Sequence, residues 1–167
     1  MKKTLLIAVY ATAFLLLFHI VSHISAHGNG VEIDKILTSA ESLFKTMKQR
    51  DYPGIWPLLS QKSKNTIIED VRKELNKAGV VRTKEEINRD FATGGPLCKS
   101  YWDQYLAYFD PDTVLEHSSW DTGKVEQERA EIIVRYRKAE RPAILKMYKQ
   151  DGVWRMGLEE TFRGSRR

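Results

Sequence analysis

Apolar positions follow two regimes along the chain. From Ile33 to Phe109 they recur at helical spacing, and from Thr113 onward they alternate. Ile33, Ile36, Leu37, Ala40, Leu43, Phe44 and Met47 form one stripe, which predicts an amphipathic helix from near Val31 to near Arg50. Asp51-Tyr52-Pro53-Gly54 breaks it, and Pro53 opens a short second helix carrying Ile55, Trp56, Leu58 and Leu59. Ser60 is placed to cap a third helix with the stripe Ile67, Val71, Leu75 and Ala78, and Gly79 stands where such a helix ends. Thr83 with Glu86 three residues on is a capping box for a short helix through Ile87 and Phe91. After the loop Thr93-Gly94-Gly95-Pro96, the residues Cys98, Tyr101, Trp102, Tyr105, Tyr108 and Phe109 predict an aromatic helix, which Asp110-Pro111 stops.

The second regime predicts strands. Ala130, Ile132, Val134 and Tyr136 share one face, as do Ala143, Leu145 and Met147, and Trp154, Met156 and Leu158. Trp154 is expected in the core. A shorter run from Thr113 to Trp120 predicts a further strand. Asp151-Gly152 is a two-residue hairpin signal, and Asp121-Thr122-Gly123-Lys124 is a second turn candidate. Helices first and strands last predict an α+β domain with an antiparallel sheet.

The amino terminus has a different pattern. Lys2 and Lys3 precede 28 residues without a formal charge, Thr4 to Val31, of which Leu5 to Ile24 are mostly apolar. Two readings follow. Residues 1–26 are a secretory signal cleaved after Ala26, or Thr4–Ile24 stays as an anchor with the lysines on the cytoplasmic side. Both place the domain, residues 31–162, in the periplasm or on the outer side of the cytoplasmic membrane. Residues 163–167 form a basic tail.

Charge narrows the partners. Removing Lys2 and Lys3 from the 27 basic residues leaves 25 against 22 acidic ones, a net +3. The richest basic cluster, Arg135, Arg137, Lys138 and Arg141, reads as a solvated strand end, so no nucleic-acid partner is expected. A single cysteine, Cys98, excludes an intramolecular disulfide. His19, His23 and His27 are spaced by four but fall in or beside the apolar segment, and no metal and no cofactor are expected.

Two stretches carry a resemblance. "AESLFKTMKQRDYPGIWPLLSQKSK" is a helix, a turn and a Trp/Leu-containing helix, and "AILKMYKQDGVWRMGLEETF" is a closing hairpin with Gly152 and Trp154. Over residues 31–162 this order resembles the nuclear-transport-factor-2-like superfamily, also called cystatin-like or ketosteroid-isomerase-like. The resemblance implies amino-terminal helices packed on a curved, cone-like antiparallel sheet around an internal pocket. It carries no enzyme motif to this chain, and fold kinship does not carry function.

Candidate chemistry is sparse. Tyr101, Tyr105 and Tyr108 are spaced by four and three, so they share a helix face that, with Trp102, suits a ligand-binding wall. His117 is the one histidine of the expected domain and would be a general base if its strand face lined the cone, with Asp103 or Glu116 as partner. Cys98 lies beside Lys99, and burial on the aromatic face is its expected fate. No G-x-S-x-G, H-E-x-x-H, P-loop or paired C-x-x-C motif occurs, and no catalytic residue is assigned. The leading expectation is an exported noncatalytic domain binding a protein partner or a small apolar ligand, with a homodimer left open. The alternatives are a cone-pocket isomerase, dehydratase or hydrolase using His117 or a tyrosine, and a membrane-anchored structural module.

Overall fold

A computed structural model describes residues 30–162. Among the described residues, 30–35 belong to one unit and 36–162 to another. In the first, residues 30–35 are helical. The expectations for Thr4–Ile24, His19, His23, His27 and the basic tail lie outside the described residues. Among the described residues no helix is long and apolar enough to cross a membrane.

The second unit opens with helix α1, residues 36–48, which buries Ile36, Ala40, Leu43, Phe44 and Met47. The chain turns at Arg50 (φ 56°) and enters α2, Tyr52–Ile55, capped by Asp51, followed by a 3-10 turn, Trp56–Leu58. Helix α3, Gln61–Lys77, starts at Ser60, whose hydroxyl accepts from Ser63 N–H. It ends with Gly79 N–H on Asn76 O at 3.1 Å and Val80 N–H on Leu75 O at 2.9 Å, the paired bonds of a Schellman motif. Helix α4, Lys84–Thr93, has both bonds of the Thr83/Glu86 capping box.

Helix α5, Pro96–Tyr108, is the aromatic helix. Its first turn is held by Asp90, whose Oδ1 accepts from Cys98 N–H at 2.8 Å. A carboxylate there satisfies a backbone donor that has no partner within the helix.

Two expectations are corrected between Asp110 and Lys124. Asp110-Pro111 ends α5 but also starts α6, Pro111–Leu115, because Asp110 Oδ1 accepts from Asp112 N–H at 3.0 Å. The strand expected from Thr113 to Trp120 therefore begins in helix, over Thr113–Leu115, and β1 runs Ser118–Val125. The turn candidate Asp121–Lys124 lies inside β1, where the register shifts between Thr122 and Val125. Gly123 serves close strand approach there, since a Cβ would sit 3.2 Å from Glu131 O.

Strands β2, Arg129–Tyr136, β3, Ala143–Gln150, and β4, Val153–Gly157, complete an open antiparallel sheet in the order β1-β2-β3-β4. Asp151 and Gly152 both have positive φ, 53° and 76°, as the tight hairpin turn requires. Leu158 is not a strand residue. It opens α7, Leu158–Phe162, and is buried.

Ala130, Ile132, Val134, Leu145, Met147, Trp154 and Met156 are buried on one face of the sheet. They form one core with Phe44, Ile55, Phe91 and Trp102. That face is filled by packed side chains, and the sheet is not closed into a cone. The β4 edge is covered where Ser60 N–H donates to Met156 O at 2.8 Å. A polar clasp fixes α7. Glu160 accepts from Ser60 Oγ at 2.8 Å and from Ser63 Oγ at 2.5 Å, while Ser63 Oγ accepts from Glu159 N–H at 3.0 Å.

Candidate functional site

Helix α4 packs against both α3 and α5. Between α3 and α5 runs a groove of about 550 Å³, lined by Asp70, Val71, Glu74 and Leu75 of α3 and by Ala78, its C-cap. From α5 come Leu97, Ser100, Tyr101, Gln104, Tyr105 and Tyr108. The volume falls within the range of about 300–1,000 Å³ typical of small-molecule sites, and the lining is mainly apolar with a few polar groups.

Local sequence explains each wall. The α3 stripe begins under the core, where Ile67 and Ile68 are buried. It then emerges, so that Val71 and Leu75 are half-buried and Ala78 is exposed. Helix α5 turns Cys98 and Trp102 fully inward and leaves Tyr101 and Tyr105 half-buried beside them. The rings interlock. Tyr101 meets Phe91 at 5.5 Å and Trp102 at 5.0 Å, and Tyr105 meets Trp102 at 5.5 Å and Phe109 at 5.4 Å between centroids. Packing of this kind locks the tyrosine rotamers, which is what a preformed site needs.

The structure thus brings Tyr101, Tyr105 and Tyr108 to one groove. Tyr108 stands 96% exposed at the carboxyl end of α5. Trp102 differs from expectation: it is 0% exposed and lies in the core cluster with Phe91 and Cys98, not on the groove wall. His117 is also placed elsewhere. It is an exposed residue in the bend between α6 and β1 and does not line the groove. The helix at Pro111–Leu115 removes the strand alternation that would have aimed it at the sheet's inner face.

The carboxylates considered as partners of His117 are engaged by other groups. Asp103 accepts from Tyr52 Oη and from Arg50 at 3.0 Å. Glu116 pairs with Lys48 at 2.5 Å, and Asp112 with the same lysine at 2.7 Å. These two carboxylates hold the Lys48 ammonium above its ordinary pKa. Burial pushes the Cys98 thiol up to about 11, and the Asp90 carboxylate adds in the same direction. A thiol so held is protonated and unreactive at neutral pH. Among the described residues no three or more His, Cys, Asp and Glu side chains are grouped to hold a metal ion.

A second hollow, about 310 Å³, lies on the solvent face of the sheet among Lys124, Glu126, Arg129, Glu131, Lys146 and Tyr148. Its charges are of both signs, and Lys124 pairs with Glu126 at 2.5 Å. It is smaller than the α3–α5 groove, and its lining is mainly polar.

Sequence reasoning named the α5 tyrosines, but no residue of α3, as a candidate wall. Val71, Leu75 and Ala78 read there as part of an apolar helix stripe. The weak signal was that this stripe ends in small Ala78 with carboxylates beside it. No protein-family model matches this chain, and neither a curated protein nor a solved structure matches it significantly.

Proposed function

We propose that this protein is a noncatalytic binding domain that takes a small, largely apolar ligand in the groove between α3 and α5. One observation carries the reading: Val71, Leu75, Leu97, Tyr101 and Tyr105 converge on one concave, mainly apolar surface, set on rings that are already packed. Apolar grooves rimmed by polar groups mark binding surfaces. The domain acts outside the cytoplasmic membrane, a reading supported by Lys2-Lys3 and the uncharged run Thr4–Val31. Its kinship is with the nuclear-transport-factor-2-like superfamily. The order of helices before an antiparallel meander supports this, and because the inner face of the sheet is packed, the reading takes the helix groove rather than a cone as the ligand site.

The test uses the neutral fluorescent dye N-phenyl-1-naphthylamine with the full chain and with Ala78→Trp. Ala78 is an exposed groove residue, so an indole there fills the groove without entering the core. Saturable dye binding that Ala78→Trp weakens by about tenfold or more is expected, and equal binding by both chains refutes the groove. For location, the domain should be cleaved when protease is added to spheroplasts, and protection refutes export.

A further inference from the structure

We infer that the tip of the β2–β3 hairpin, with the apolar pair beside it on the solvent face of the sheet, is a docking surface for an anionic lipid bilayer. This rests on the reading that the domain acts outside the cytoplasmic membrane and is independent of the groove. Residues 137–142 join β2 to β3, and all six are exposed. Arg137, Lys138 and Arg141 are basic, and Glu140 is the one acid among the six. The basic cluster seen in the sequence divides in two. Arg135, on the last turn of β2 before the tip, is neutralised by Asp121 of β1. Arg137, Lys138 and Arg141 form no ion pair among the described residues. The tip thus presents a net positive charge that no neighbouring carboxylate holds.

A second observation is apolar. Ile132, Val134 and Leu145 are buried on the inner face, so alternation puts Ile133 and Ile144 on the solvent face. These two are direct cross-strand partners, and Ile144 is 45% exposed. Pro142 and Ala143, which lead from the tip to Ile144, are exposed as well. The solvent face of an antiparallel sheet ordinarily carries polar residues. Cations beside exposed apolar side chains match the boundary of a bilayer, where lipid phosphates meet the cations and the acyl region takes the apolar groups. A nucleic acid would offer phosphates to the tip but no apolar layer to Ile133 and Ile144.

The experiment places a nitrobenzoxadiazole label on Ala139→Cys of the full chain. Ala139 is exposed and the native thiol of Cys98 is buried, so the label reports on the hairpin tip. Vesicles of phosphatidylcholine with about one third phosphatidylglycerol are compared with vesicles of phosphatidylcholine alone. The expected result is a blue shift of the label with the anionic vesicles, at an apparent affinity about tenfold or more above that for the neutral ones and weakening as salt is added. The triple variant Arg137→Gln, Lys138→Gln, Arg141→Gln should bring the two affinities within about threefold of each other, and Ile144→Ser should weaken binding to the anionic vesicles by about threefold or more. All four side chains are exposed, so both variants should keep the circular dichroism of the native chain. Equal response to the two vesicle types overturns the docking surface, as does a preference that survives the triple variant. An Ile144→Ser chain that binds like the native one, or a short DNA duplex that shifts the label at the affinity of the vesicles, overturns the choice of lipid. Export is decided separately by the protease test on spheroplasts, so the two readings fail by different measurements.

Discussion

Trp102 and Tyr108 lie on one helix, six positions apart, and were expected on the same ligand wall. Their burial makes opposite demands. Trp102 is 0% exposed and Tyr108 is 96% exposed. A buried aromatic side chain removes about 150–250 Å² from water, which at about 25 cal/mol per Å² corresponds to roughly 4–6 kcal/mol, an upper figure because the unfolded chain is partly compact. Core Trp→Ala replacements typically cost about 3–5 kcal/mol. Trp102 sits edge-on to both Tyr101 and Tyr105, so the truncation also loosens the groove wall. Trp102→Ala is therefore expected to lose about 4 kcal/mol, and Tyr108→Ala to stay within about 0.5 kcal/mol of the native chain. Urea melts followed by far-ultraviolet circular dichroism measure both. A Trp102→Ala loss under about 1 kcal/mol, or a Tyr108→Ala loss above it, would mean that the rotation of α5 about its axis is misplaced and that the groove has a different wall.

Two further outcomes are expected. Ser60 and Ser63 are buried and both donate to Glu160, so Glu160→Ala strands two hydroxyls and should cost about 2 kcal/mol. In a cycle with Ser63→Ala the losses should fall short of additive, and strict additivity would argue against the clasp. Cys98 is raised from an ordinary value near 9 to about 11. Its proton is held by the folded chain where the unfolded chain releases it, so the associated stability is complete below pH 9 and is lost as pH rises through about 11. Tyr52 and Tyr148, also raised by burial, act in the same direction, so the readout is the difference between the native chain and Cys98→Ala. The native chain should lose more stability between pH 8.5 and 10.5, and parallel pH profiles would refute the buried thiol.

The sequence by itself determined the features that depend on neighbours close along the chain. Ser60 at the start of α3, the Thr83/Glu86 box and the Asp151-Gly152 hairpin are each specified within four residues, because a cap or a tight turn needs only its own backbone donors and dihedral angles. The inward faces of β2, β3 and β4 were legible for the same reason, since alternation fixes side-chain direction once a strand exists. Failures occurred where one local signal served two elements. Asp110-Pro111 ends one helix and begins another. Gly123 looked like a turn residue but accommodates a bulged strand against β2.

The candidate site belonged mainly to the tertiary structure. Periodicity showed that Tyr101, Tyr105 and Tyr108 share a face, but it could not separate Trp102 from them, because residues on one helix differ in burial only once the neighbours are in place. It could not show that the α3 stripe is covered at Ile67 and bare at Ala78. Which part of an apolar stripe becomes core and which becomes groove depends on where α4 docks. That docking is a long-range balance of buried area against chain entropy that no local pattern encodes.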